Sequence, residues 1–423
     1  MGPEHVSPAV RAAEQVARTS RGQLIATLVA GNGDLALAED ALSAALERAL
    51  RTWPAAGVPA NPPGWVLTVA RNYQRDVWKS AARRTSVPLA DAAQGGAHAA
   101  EAPDEVPMLA DRRLALLFVC AHPAIDPQVH TPLMLQVVLG VDAARIAAAF
   151  AVSPAAMTQR LVRAKKRIKH ARIPFMVPGP ETFGDRLPAV LEAVYGCFTI
   201  GHDDPASGDL AAEARHLAVT VTELLPEEPE AWSLAALVTL VLARTGGGTG
   251  EFVPLDDQDP GTWDAGLIAT GEQYLRRAQQ GGPPGRFQLE AAIQAVHCDR
   301  LRTGVIDWQA LHSLYRALVR TAPTLGAQVA LAAVTGRVTS PQAGLDELDR
   351  LRAQWATTRP GAVERYQPFH AVRAHLLLAA GRQTQAAAAF ATAADLARQD
   401  GQRRYLRRAA EDTRDGTTAP SGR

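Results

Sequence analysis

The stretch Asp142–Lys169, DAARIAAAFAVSPAAMTQRLVRAKKRIK, decides how the whole chain is read. Ala143 to Phe150 spells one short helix with apolar periodicity, Ala151-Val152 a break, and Ser153-Pro154 the opening of a second helix. A serine hydroxyl accepts from the orphan N–H groups of a first helical turn, and proline is tolerated at the first position because its missing donor would be unpaired there. Within the second helix Met157, Leu161, Ala164 and Ile168 recur at helical spacing and form one stripe for a domain interior. The opposite face carries Ala155, Thr158, Gln159, Val162, Arg163 and Lys166. A slim polar first half of this kind fits a major groove, and Gln159 has the donor and acceptor pair that reads adenine. The second half, with Arg160, Arg163, Lys165, Lys166, Arg167, Lys169 and Arg172, contains no acid and suits phosphates. A basic helix end also complements the helix dipole, so the DNA reading rests on cap, turn, stripe and charge together.

The chain has 423 residues and a formal net charge of +1, so any nucleic-acid contact is local rather than spread over the molecule. Alanine is abundant, aromatics are sparse and strand-like alternation is absent, which predicts an all-α protein. Cys120, Cys197 and Cys298 stand far apart among apolar neighbours, with no CxxC and no histidine at ligand spacing. Buried free thiols in a reducing cytoplasm are expected, rather than a zinc site or disulfides. The N-terminal stretch Glu4–Arg21 mixes acids and bases, and the longest apolar run, Leu234–Ala243, is too short to span a bilayer. A cytoplasmic protein without a membrane association is expected.

Upstream of the opening stretch, Asp34 follows a glycine turn and is placed to cap a helix from Leu35 to about Leu50. Its apolar face is Ala38, Ala41, Leu42, Ala45 and Ala49, which leaves Glu39, Asp40 and Glu47 outside, an acidic face for a protein partner or for solvent alone. After the loop Pro59–Pro63, Gly64 to Arg84 reads as another helix, with Val66, Ala70, Tyr73, Val77 and Ala81 on one side and Tyr73 expected in the core. The other side bears Trp65, Thr68, Arg71, Asn72, Arg75, Lys79 and Arg83, a cationic ridge with aromatic and amide groups interleaved; Trp65 and Trp78 could stack on bases or pack inside. Thr85 to Pro107 has no usable periodicity and reads as a flexible linker.

In this order the motifs resemble bacterial sigma factors of the extracytoplasmic-function group, which keep only sigma domains 2 and 4. Asp34-Leu35-Ala36-Leu37-Ala38-Glu39-Asp40-Ala41 is similar to the domain 2 helix that docks on the clamp helices of core RNA polymerase. Trp65-Val66-Leu67-Thr68-Val69-Ala70-Arg71-Asn72, followed by Asp76, is similar to the segment that captures and melts the −10 element. Arg160-Leu161-Val162-Arg163-Ala164-Lys165 resembles the end of the domain 4 recognition helix, which reads the −35 element. Phe118–Pro123, Arg172–Phe175 and Leu255–Asp259 with Trp263-Asp264 resemble the subgroup whose sigma module carries a C-terminal extension of tetratricopeptide-like helices. The chain departs from the pattern at Arg145, where an acid is usual, and at Ala151, where the turn usually has glycine, which implies a turn of different local shape. Phe198–His202 also replaces an Asn-Glu-Gly-Tyr-like segment.

The resemblance implies a domain 2 helical bundle over residues 1–84, a linker over 85–107 and domain 4 with its helix-turn-helix over 108–174. A tetratricopeptide-like domain over 180–411 and a disordered tail over 412–423 complete the expected order. Core RNA polymerase, through its clamp helices and flap, and promoter DNA are the implied partners. Asp34, Glu39, Asp40 and Glu47 would face polymerase, Trp65, Thr68, Arg71, Asn72, Arg75, Lys79 and Arg83 the −10 element, and Ala155, Thr158, Gln159, Arg160, Arg163 and Lys166 the −35 element. No catalytic residue, metal or cofactor is expected, and His202-Asp203-Asp204 lacks the further ligands that a metal needs. Repeat logic supports the extension independently. With Gly381 as a turn glycine, Ala386, Phe390 and Ala393 fall on the close-packing positions of the following helix, and Ala214, Ala218, Trp232, Ala235 and Ala236 echo that register. Stacked helix pairs offer a concave surface to a protein or peptide. A competing reading is a helix-turn-helix regulator with a repeat sensor domain that never joins polymerase; the first 84 residues argue against it, since such a regulator needs no second DNA-facing helix beside an acidic one.

Overall fold

The computed structural model describes residues 7–30, 33–85, 107–150, 152–171, 173–175, 180–203, 210–245, 252–280 and 282–416. The chain is all-α, with no strand among the described residues. It divides into two compact units, Met1–His202 with Ser207–Ala214, and Asp203–Ala206 with Arg215–Arg423.

The first unit contains α1 (Pro8–Thr19), α2 (Arg21–Val29), α3 (Leu35–Ala56), α4 (Pro62–Thr85), α5 (Pro107–Cys120), α6 (Pro127–Val137), α7 (Ala143–Ala149), α8 (Pro154–His170) and α9 (Pro180–Asp203). Side-chain caps set several of the starts: Ser7 accepts from Val10 N, Asp34 from Leu37 N, Asp126 from Gln128 N, Asp142 from Ala144 N and Arg145 N, and Ser153 from Ala156 N. The small face of α3, with Ala38, Ala41, Leu42, Ala45 and Ala49 fully buried, lets α4 lie close along it through Val66 and Ala70. That helix runs past the expected end near Leu50 to Ala56, with Pro54 in its last turn and Gly57 beyond it at φ +84°.

The N-terminal helices and α5–α8 form one body. Helix α2 packs on α5, and at Gly22 a Cβ would stand 2.4 Å from the Val138 carbonyl oxygen, so only glycine lets α2 sit directly on the end of α6. Arg113 of α5 is buried and pairs with Glu213; desolvation lowers its pKa to about 10. Helix α9, expected to open the C-terminal extension, lies in this unit: Leu187, Val190, Leu191, Val194 and Cys197 are buried, and Gly196 approaches Leu135 and Thr131 of α6.

From α10 (Leu210–Leu224), whose first turn belongs to the first unit, the chain continues through α11 (Pro229–Leu242), α12 (Ala265–Ala278), α13 (Arg286–Cys298), α14 (Arg300–Thr303) and α15 (Trp308–Thr321). It ends with α16 (Leu325–Val338), α17 (Pro341–Thr358), α18 (Gln367–Ala379), α19 (Gln383–Leu396) and α20 (Asp400–Arg414). Neighbours in sequence are neighbours in space, α11 on α12 and α13, α13 on α15, and each helix from α15 to α20 on the next, which is the habit of helical repeats. Gly381 takes φ +72° between α18 and α19, and Ala386, Phe390 and Ala393 are buried, as the repeat register predicts. Helix α20 carries on to Arg414 with Thr413 buried, so the first residues of the tail expected over 412–423 are helical, anchored through Leu406, Ala409, Ala410 and Thr413, and residues 417–423 lie outside the described part.

Two polar devices brace the second unit. The Glu230 carboxylate accepts from Phe287 N and Gln288 N at 3.0 and 3.2 Å, capping α13 from α11; burial pushes its pKa up against the pull of these bonds. The buried Arg300 guanidinium donates to the Leu255, Asp256 and Gln258 carbonyls and lies over the Trp263 ring, which fixes the Leu255–Asp259 loop singled out in the sequence.

Candidate nucleic-acid interface

Helix α8 is built as its sequence predicts. Met157, Leu161, Ala164 and Ile168 are buried, and Ala155, Thr158, Gln159, Arg160, Val162, Arg163 and Lys166 are exposed. The turn before it closes with Val152 N donating to the Ala147 carbonyl; Ala151 itself, and with it the question of its backbone angle, lies outside the described residues, as does Arg172. Thr158 donates its hydroxyl to the Pro154 carbonyl, and Arg167 Nε donates to the Ala124 carbonyl. The face available to a groove is therefore Ala155, Gln159, Arg163 and Lys166, with Arg160 beside it.

On α4, Thr68, Arg71, Asn72, Arg75 and Lys79 are exposed, and the Arg83 side chain lies outside the described part. Desolvation lowers the Arg71 pKa, assisted by the like charges of Arg112 and Arg75. Cations gathered so closely suit a polyanion that would relieve their repulsion. Two expectations for the inner face change. Tyr73 is 38% exposed rather than core, and Gln74 takes the buried place after Val66 and Ala70 because the stripe follows steps of four. Trp78 is 44% exposed, whereas Trp65 is half-buried with its ring edge-on to Trp53, the centroids 5.4 Å apart.

The acidic face of α3 divides in two. Asp40 and Glu47 are exposed, with Glu47 beside Arg51 at 3.7 Å. Glu39, expected outside, is turned into the unit: its side chain is 16% exposed and lies 2.6 Å from Lys165 Nζ and 3.5 Å from Arg21. Asp34, besides capping α3, lies 2.7 Å from Lys169 Nζ. Lys165 and Lys169 stand one turn apart on α8, at the edge of its buried stripe, and so reach the same side of α3. In the sequence these two lysines read as part of a phosphate-binding run, because partners 126 and 135 residues away leave no local signal.

All three cysteines are free and buried; burial raises the thiol pKa of Cys120, takes Cys197 up to about 12 and Cys298 up to about 11. Among the described residues no group of three or more His, Cys, Asp or Glu gathers to hold a metal, and His202 lies exposed, its ring stacked on Phe198. No described helix is long and apolar enough to cross a membrane.

Residues 186–279 match the model of a family of unknown function, DUF6596, which spans α9 to α12. An uncharacterized protein of Rhizobium meliloti (strain 1021) is 33% identical over 401 residues, covering 92% of this chain and 93% of the relative. No solved structure matches. A likeness of that extent runs through both units at once, and the chain belongs to the same family as this Rhizobium meliloti protein.

Proposed function

We propose that the chain is an RNA polymerase sigma factor of the extracytoplasmic-function group, in which the first unit joins core polymerase to a promoter and the helical-repeat unit regulates it or holds a protein partner. The observation that carries the reading is the two-sided build of α8, with a capped start, four buried apolar residues and an outward face of Gln159, Arg160, Arg163 and Lys166. In this reading Gln159 reads a base edge of the −35 element, and the cations beside it position the helix on phosphates. The exposed cations of α4 hold the −10 element, with Trp78 and Tyr73 available to stack on unpaired bases. Asp40 and Glu47 offer an acidic face to polymerase, and Asp34 and Glu39 join them once released from α8. The chain performs no covalent chemistry; it lends binding energy to an enzyme that does.

Gel filtration with core RNA polymerase tests the docking half of this reading. Wild-type chain is expected to co-elute with polymerase, and the D40N/E47Q variant to co-elute less. A chain that stays apart from polymerase under all conditions overturns the assignment.

A further inference from the structure

We propose that the loop between α11 and α12 is a lid over a peptide-docking face of the second unit. The face takes from a partner protein a short segment like the tip of the lid itself, an aromatic side chain followed four residues later by an acid. The inference names the partner chemistry of the repeat unit and does not depend on what the first unit binds. Asp264 N donates to the Ala243 carbonyl at 2.8 Å, so the loop leaves and re-enters the stack at one neck. Connections longer than about 12–15 residues are uncommon in compact domains and serve as lids or binding loops. In the described part the loop crosses the stack from its last helix back to its first ones. Phe252 meets the Tyr405 ring of α20, the centroids 5.4 Å apart, and Asp256 lies 3.1 Å from Arg337 of α16. The Leu255, Asp256 and Gln258 carbonyls accept from Arg300 of α14, and Trp263 is buried with Leu240 of α11 and Cys298 of α13. In a repeat stack each unit touches only its neighbours, so a segment that meets so many helices lies on a surface that runs along the stack.

Root and tip of the loop are built differently. Trp263 belongs to the core, whereas Val253, Asp256 and Asp257 are exposed. Asp257 N and Gln258 N donate to the Pro254 carbonyl, and Gln258 Nε2 donates to the Val253 carbonyl at 3.3 Å, so the tip holds its own turn and moves as a piece. The face beneath is organised by groups outside the tip. Arg337 lies over the Trp308 ring of α15 at 5.2 Å, and Arg300 lies over Trp263 at 5.1 Å. Burial, and after it the charge of Arg337, lowers the pKa of His375 on α18 while Asp256 and Asp257 oppose the shift, which places an imidazole beside the two acids. Arg300 reads main-chain carbonyls, which every peptide carries. Selection therefore falls to Tyr405, which takes a ring, and to Arg337, which answers an acid. Arg300 is only 8% exposed, and lifting the tip with nothing in its place would strand a buried guanidinium without acceptors. The face is thus exchanged rather than emptied, and the incoming segment supplies the carbonyls that the tip withdraws.

The test uses the full chain and a fluorescent synthetic peptide with the sequence of residues 252–259, FVPLDDQD. Phe252→Ala with Asp256→Asn loosens the tip and leaves the face intact. Asp256→Asn alone, at a pair whose side chains are 37% and 60% exposed, loosens it with less risk to folding, which circular dichroism checks. Fluorescence anisotropy is expected to show the peptide binding F252A/D256N roughly tenfold tighter than wild type, and D256N tighter by a smaller factor, because the tip in place lowers the apparent affinity by the fraction of chains that are open. Arg337→Gln added to F252A/D256N is expected to remove most of the gain. The same peptide with Asp256→Lys and Asp257→Lys is expected to bind neither chain. Equal binding to wild type and to both loosened variants overturns the proposal, as does binding to none of them. Equal binding of the lysine peptide overturns the assigned partner chemistry. The readout involves neither polymerase nor DNA, so its failure is separate from any failure of the sigma-factor reading.

Discussion

His297 lies inside the second unit, where burial, and after it the charges of Arg244 and Arg300, lower its pKa from 6.5 to about 4. Above pH 6.5 the ring is neutral in folded and unfolded chains and contributes nothing to pH dependence. Between 6.5 and about 4 the unfolded chain takes a proton that the folded one refuses, so stability falls as pH drops through that window and levels off below it. A shift of this size corresponds to roughly 3 kcal/mol at the low end. Urea unfolding of wild type against His297→Gln at a series of pH values is expected to give curves that converge as pH falls from 6.5; parallel curves would contradict the burial. On α8, Gln159→Ala is expected to lose about 1–3 kcal/mol of preference between duplexes that differ at an adenine, whereas Lys79→Ala weakens binding evenly across sequences. Competition among duplexes checks the split, and equal loss from both variants would contradict it. Residues such as Met157, Leu161, Ala164 and Ile168 were legible because period alone sorts them to the inside. Glu39 was not, because an acid beside an apolar stripe has the same sequence signature whether it faces water or a lysine from another helix.

Helices α16 and α17 meet through glycines. A Cβ on Gly344 would stand 2.7 Å from the Ala332 carbonyl oxygen, and one on Gly336 2.2 Å from Leu376 Cδ2. Elsewhere in a helix, alanine in place of glycine stabilises by roughly 0.5–1 kcal/mol through backbone entropy. Here the added methyl meets backbone, which cannot swing aside, and the cost of overpacking, about 1–3 kcal/mol, wins. Gly344→Ala is therefore expected to lower the melting temperature of the chain in calorimetry, and a rise would contradict the close approach. At this scale the sequence was most readable: caps at Asp34 and Ser153 stand where the spacing predicts. The ends were less so. Helix α3 overruns its expected stop because Trp53 is buried and holds the last turns down, and α20 overruns because Thr413 is. Burial against a distant element extends a helix without leaving a terminal signal in the local sequence.

The whole molecule separates a mixed-charge, helix-capped first unit from a stacked helical second unit, whereas the order of motifs along the chain predicts three folded domains, over 1–84, 108–174 and 180–411. It did not anticipate that α9 belongs with the first unit, since an apolar helix of this composition would serve either core equally. Nor could it show that the helices before and after residues 86–106 form one body, because Gly22 meets Val138 and Glu39 meets Lys165 across long stretches of chain. The proposed function turns on what this body does when it meets polymerase. Run-off transcription from a duplex promoter of this chain's own regulon, with purified core RNA polymerase, tests that most directly. The account predicts a discrete transcript that appears only when the chain is added and that is lost on Arg163→Ala with Lys166→Ala. Tight promoter binding by the chain alone, with no transcript at any ratio of chain to polymerase, would contradict it.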